Sequence, residues 1–217
     1  MKNMNTKLTG ILILSLVFST FILKGQSSDE NKVRFGIKAG LNISNMYTKN
    51  VQDENMITGF NGGLFLKVPV TPNFAFQPEL LYTMKGSELT YNSFISGKAS
   101  FSLNYVEMPV LAVINLTKIF NIYGGVYIAN LTSVVVKNKS NVDLFNFENE
   151  LKKSDFEMYD WGLVGGAGLD FNRVSLGVRY EYGMKPVGKE RSILGQTYRI
   201  PDAKNSTIQI YLSISIL

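Results

Sequence analysis

An all-β fold, an eight-stranded antiparallel up-and-down transmembrane β-barrel, is predicted by three features of the sequence. Apolar and polar residues alternate with a period of two in segment after segment. The segments are long for strands, and the connections between them are alternately long and short. Alternation places one side of each segment in an apolar medium and the other in a polar one. Soluble strands average about 5 or 6 residues, whereas a tilted membrane strand needs about 9 to 11. Long loops at one end and tight turns at the other are the pattern of outer-membrane barrels.

The chain opens with a different texture. Lys2 and Lys7 precede the apolar run LTGILILSLVFSTFIL (8–23), and Gly25 follows as a small residue, so residues 1–25 are read as a cleaved secretory signal peptide. The run is short for a membrane helix, which needs about 20 apolar residues. Residues 26–32 are a short N-terminal segment, and 33–217 the barrel domain.

Eight strands are expected, at 33–44, 57–68, 73–85, 101–115, 120–136, 158–171, 173–185 and 204–216. The first, VRFGIKAGLNIS, sets Val33, Phe35, Ile37, Ala39, Leu41 and Ile43 on one side against Arg34, Gly36, Lys38, Gly40, Asn42 and Ser44 on the other. The last, TIQIYLSISIL, splits as cleanly. Between them, the connections 45–56, 86–100, 137–157 and 186–203 are long, and PVTPN, LTKI and Asn172 are short. An even strand number returns both ends of the domain to the short-turn side.

Which side meets water is decided by the polar phase. Its charges are Arg34, Lys38, Lys67, Glu79, Glu107, Asp160, Arg179 and Glu181, four of each sign. The same phase is rich in glycine, including Gly36, Gly40, Gly166 and Gly177, and glycine in a strand marks close approach of backbone or bulk. A crowded, ion-paired lumen accounts for both, and an eight-stranded barrel is just wide enough to be filled by its own side chains. Lys or Arg facing lipid near the midplane would cost about 2 to 4 kcal/mol, and the apolar phase carries none in the strand cores. Aromatic residues toward strand ends, such as Tyr82, Trp161 and Tyr180, fit interfacial girdles.

Two stretches, FQPELLYT (76–83) and NYVEMPVLAVI (104–114), combine a carboxylate with a proline in an apolar run. Glu79 and Glu107 are expected inside the barrel at similar depth on adjacent strands, with Arg34, Lys38, Lys67 and Arg179 as the cations that keep them charged. A closed barrel has no edge on which to hide a missing donor, so a β-bulge is expected near Pro78 and near Pro109.

Composition narrows the functional classes. Loss of residues 1–25 removes Lys2, Lys7 and Lys24 and takes the formal charge from +5 to +2, which gives no electrostatic case for nucleic acid. The chain has neither cysteine nor histidine, so thiol nucleophiles, the usual zinc ligands and the usual neutral-pH base are missing together. GGAGLD (165–170) lacks GxGxxG spacing and is read as lumen glycines. No cofactor, metal site or catalytic residue is expected.

FGIKAGLNIS, QPELLYT, NYVEMPVLAVI, YGGVYIANL, YDWGLVGGAGLDF and VRYEYG, in this order, resemble the Bacteroidetes outer-membrane β-barrel family labelled PorT-like, small barrels of the OmpA/OmpX type. The resemblance runs from about residue 33 to 217. It implies an eight-stranded outer-membrane barrel with a cleaved signal and no catalytic motif, and its namesake is linked to protein secretion. The expected protein is therefore a non-enzymatic, monomeric outer-membrane barrel with lipid as its first partner. The long segment 137–157, with Phe145, Phe147 and Phe156 among charges, is a candidate contact for protein or polysaccharide. The alternatives are an accessory component of a secretion machine, a soluble lipocalin-like carrier with the faces reversed, and a membrane-embedded enzyme.

Overall fold

The computed structural model describes residues 32–47, 54–92, 96–140, 147–150, 156–188, 190–193, 196–199 and 203–216. The expected signal peptide lies outside them. Eight long strands form the wall: β1 (Arg34–Tyr47), β2 (Ile57–Thr71), β3 (Phe74–Asn92), β4 (Ser96–Asn115), β5 (Phe120–Ser140), β6 (Tyr159–Phe171), β7 (Val174–Pro186) and β8 (Lys204–Ser215). Each pairs antiparallel with its sequence neighbours. The circle closes where β1 pairs β8, from Gly36↔Ser215 to Tyr47↔Lys204. No strand of the wall is left with a free edge, which a lipid environment requires.

The period of two is carried around the whole wall. In β8, Gln209, Tyr211 and Ser213 are buried while Ile208, Ile210, Leu212 and Ile214 are exposed. Lys38, Arg179 and Glu181 are at most 3% exposed, whereas Ile37, Leu176 and Leu212 are 46 to 48% exposed. Charge is inside and hydrocarbon outside. That arrangement excludes the lipocalin-like alternative, whose apolar phase would have to line the interior.

The short turns have local causes. Between β6 and β7 the chain reverses through Asn172 at φ 55°, a left-handed conformation that asparagine tolerates better than most residues. Between β4 and β5 the hydroxyl of Thr117 accepts from the backbone N–H groups of Ile119 and Phe120. At the opposite end, β3, β4 and β5 run for 19, 20 and 21 residues, far beyond the roughly 9 to 11 needed to cross. Their surplus extends the sheet past the wall, with Glu54–Asn55 added beside β3 and Phe147–Glu150 beside β5. A separate pairing joins Glu190–Ile193 to Gln196–Arg199.

The prolines do not produce the expected bulges. The β3–β4 ladder passes from Pro78↔Val110 to Leu81↔Glu107 with its register unchanged, and Pro109 stays in register with Tyr127. A proline nitrogen faces one neighbouring strand only, so its missing donor removes a bond without adding a residue. Register shifts fall elsewhere, between Pro69 and Thr71, between Lys204 and Ser206, and at Thr132, between Asn104↔Ser133 and Tyr105↔Leu131. There the Thr132 hydroxyl donates to the carbonyl of Asn104 at 2.8 Å.

Two apolar clusters lie inside the wall. Toward the long connections, Leu103, Tyr105, Leu131, Val134, Phe156 and Val187 pack together. Toward the short turns, Ala75, Leu111, Val113, Tyr123, Val164 and Tyr211 do so. Between them lies the charged layer.

Candidate functional site

The middle of the lumen is built from one or two inward residues on each of five strands. β1 supplies Lys38, β3 Glu79 and Lys85, β4 Glu107, β7 Arg179 and Glu181, and β8 Gln209. Lys38 forms an ion pair with Glu79. Arg179 reaches Glu79 at 2.7 Å and Glu181 at 3.1 Å, with Glu107 at 3.9 Å, and its Nε donates to Gln209 Oε1 at 2.7 Å. Lys85 lies 2.5 Å from Glu107 and 2.9 Å from Glu181.

Every charged side chain in this layer is at most 1% exposed. Three cations face three carboxylates. In so dry a place each charge depends on its partners, and deleting one partner of a buried pair typically costs about 3 to 5 kcal/mol. Aromatic faces add support: the Lys38 ammonium stands 3.9 Å from the Tyr211 ring centroid, and that of Lys85 stands 4.1 Å from Tyr127.

Neighbouring glycines make room for these bulky groups. A Cβ on Gly177 would lie 2.4 Å from the Tyr211 hydroxyl, and one on Gly166 would lie 2.7 Å from Cβ of Arg179. The glycine content of the polar phase thus has a steric cause.

The eight charges picked out in the sequence separate into three groups. Lys38, Glu79, Glu107, Arg179 and Glu181 meet in the central layer. Asp160 lies nearer the long connections, accepting from the Tyr127 hydroxyl at 3.1 Å and from Asn205 at 2.8 Å. Arg34 and Lys67 stand at the short-turn mouth, away from Glu79 and Glu107. Lys67 pairs with Asp170 at 2.9 Å, and Arg34 donates to the carbonyl of Asn172 at 3.3 Å.

The cation that serves Glu107 instead is Lys85. It has the inward parity of Glu79, six residues earlier in the same strand, and that parity was the available signal. Its position at the expected strand end concealed it, because β3 continues to Asn92. Amide and hydroxyl groups were missed as well. Asn61 donates to Asn42 at 2.6 Å, and Asn42 donates to Thr83 and to the carbonyl of Met84, both at 2.8 Å.

The segment 137–157 also divides. Residues 137–140 continue β5, and Phe147–Glu150 pairs back onto it. Residues 141–146, including Phe145, lie outside the described residues. Phe156 is 8% exposed within the apolar cluster, so it caps the lumen and is not a surface contact. Among the described residues no group of three or more acidic, histidine or cysteine side chains is placed to hold a metal ion.

No curated protein matches the chain. Solved structures similar to it include Neisserial surface protein A, at 12% identity over 84% of this chain and 97% of that one, with a TM-score of 0.50. Ail, the attachment invasion locus protein of Yersinia pestis, solved with the heparin analogue sucrose octasulfate, aligns at 14% identity over 85% of this chain and 99% of its own, with a TM-score of 0.45. OprG from Pseudomonas aeruginosa aligns at 10% identity over 84% and 91%, with a TM-score of 0.35. Residues 25–187 match the family model described as outer membrane protein beta-barrel domain. With three quarters of its length inside that match, and a closed eight-stranded wall that is apolar outside, the chain belongs to the outer membrane protein β-barrel domain family.

Proposed function

We propose that the protein is a non-conducting, monomeric outer-membrane barrel whose work is done by its extended loop-side sheet, with the lumen serving as a structural plug. The observation that carries this reading is the central layer. Lys38, Lys85 and Arg179 with Glu79, Glu107 and Glu181 cross the lumen as side chains at most 1% exposed. The apolar cluster around Leu103 and Phe156 supports it from the loop side. An ion would have to displace both.

Planar-bilayer recording of the purified barrel tests this. The expected record shows no stepwise conductance, and defined single-channel openings by the unmodified protein would contradict it. In the same reading, residues 1–25 are the cleaved export signal, 26–32 a short leader to the barrel, and the protein has no enzymatic activity.

The loop-side extension is where a partner would bind. β3, β4 and β5 carry it beyond the length a bilayer needs, and the segment 137–157 joins it through Phe147–Glu150. The sequence resemblance to the PorT-like family makes a protein-secretion machine the second reading for that partner. Pull-down from detergent extract, with residues 141–155 replaced by a short Gly/Ser linker as control, separates the two. Copurification of a large export complex that the control loses supports the secretion role. A free monomer in both samples removes it.

A further inference from the structure

The short-turn mouth holds a cavity of about 370 Å³ whose wall includes Lys32, Arg34, Lys67 and Lys118 but only one carboxylate, Asp170. A second space of about 20 Å³ continues inward past Gln77, Tyr123, Tyr211 and Ser213, enough for water and too small for a solute. Beyond it the Tyr211 hydroxyl donates to that of Tyr123 at 2.8 Å, and the Lys38, Glu79 and Arg179 layer follows. The cavity is therefore a blind vestibule that fills and empties only from the side of the short turns. A site of this size lies in the lower range for small-molecule pockets, about 300 to 1,000 Å³.

We propose that this vestibule binds a multiply charged phosphate group, a phosphomonoester or diphosphate of small-molecule size. Charge selects the class. Arg34 and Lys67 set two cationic donor groups on the cavity wall against the single carboxylate of Asp170, and a phosphomonoester, with nearly two negative charges at neutral pH and three acceptor oxygens, can accept from both at once. Donor geometry agrees. Of the five N–H donors of a guanidinium, Arg34 commits one to the Asn172 carbonyl at 3.3 Å among the described residues. The Lys67 ammonium divides between Asp170 at 2.9 Å and Asn115 at 3.4 Å, leaving a third donor. Asp170 acts as an internal competitor that holds Lys67 in the empty site. The plug reading concerns the centre of the lumen, and this site lies below it.

The test is an amide NMR titration of the folded barrel with pyrophosphate and with acetate at constant ionic strength. Pyrophosphate should give saturable shifts at Asn73, Asn115 and Asn172 and none at Leu103 or Val134, and acetate should not saturate. Arg34→Gln should weaken pyrophosphate by about tenfold, the scale of one charged hydrogen bond. Asp170→Asn should tighten it, a gain that misfolding could not mimic.

Two lipid arms identify the source of the phosphate. If a lipid supplies it, nanodiscs containing phosphatidic acid should produce the same shifts without pyrophosphate, and nanodiscs of phosphatidylcholine alone should not. If the ligand is soluble, only pyrophosphate should produce them. Either result supports the proposal. No saturation, shifts confined to the loop side, unchanged affinity in both variants, or tighter binding of an acidic peptide than of any phosphate would overturn it.

Discussion

At the loop-side mouth Leu103, Leu131, Val134, Phe156 and Val187 make a dry apolar cap, whereas at the short-turn mouth Arg34, Lys67 and Asp170 surround an open, basic cavity. The wall is the same at both ends, with the same alternation and the same antiparallel ladder. The difference arises from which residue types occupy the inward phase at each depth and, at the loop side, from Phe156 and Val187, which fold in from beyond the ends of β6 and β7. A barrel of this size thus separates its scaffold from its contents. The outward phase answers to lipid everywhere, and the inward phase is free to be apolar, ionic or wet in turn. The central charges form the boundary between the two regimes.

Removing that boundary should have the largest effect. Arg179→Met leaves Glu79, Glu107 and Glu181 with only the two lysines. Stability should fall by about 3 to 5 kcal/mol, read as a lower urea midpoint for unfolding from lipid vesicles. Attacking the dry side comes next: Leu103, at 0% exposure, should lose about 2 to 5 kcal/mol on Leu103→Ala as a cavity opens in the cap.

On the wet side, Gly177→Ala would press a methyl group onto Tyr211, whose ring is held by Tyr123 and Lys38. Overpacking of this kind should cost about 1 to 3 kcal/mol in the same unfolding assay. The smallest effect belongs to the mouth itself. Among the described residues Arg34 makes one exposed hydrogen bond to a carbonyl, so Arg34→Gln should change stability by less than about 1 kcal/mol. A loss at Arg34 as large as that at Arg179 would erase the distinction between centre and mouth.

Much of this was readable in the sequence because a closed barrel translates residue parity directly into side. β1 and β8, where one phase is apolar and the other polar, were placed to within three residues at each end. NYVEMPVLAVI was harder, since both phases of β4 are largely apolar. Leu103, Tyr105, Leu111 and Val113 face inward with nothing in their own chemistry to say so, and only Glu107 fixes the parity.

The site was legible in part for a related reason. Parity says that a charge is inside, but depth decides whom it meets, and depth depends on stagger between strands. Arg34 and Lys67 share the inward phase with Lys38 yet lie at the mouth. Lys85 has the right parity but sits at the end of the expected strand 73–85, and the surplus length that carries β3 on to Asn92 has no hydropathy signature. Phe156 read as a loop aromatic because the fold-back of residues 156–158 onto Val187 and Leu131 rests on backbone bonds, Glu157 N–H to the Val187 carbonyl at 2.9 Å and Leu131 N–H to the Met158 carbonyl at 2.8 Å.

The account rests on hydrocarbon touching the outward phase while the inward phase is sealed from it. Nitroxide labels at Ile37, Leu176 and Leu212, compared with one at Ser213, test this most directly through collision with oxygen and with a water-soluble relaxation agent in a lipid bilayer. The first three should be reached by oxygen and shielded from the aqueous agent, and the label at Ser213 should show little access to oxygen. Oxygen access at Ser213 together with aqueous access at Ile37, Leu176 and Leu212 would contradict the orientation of every strand described.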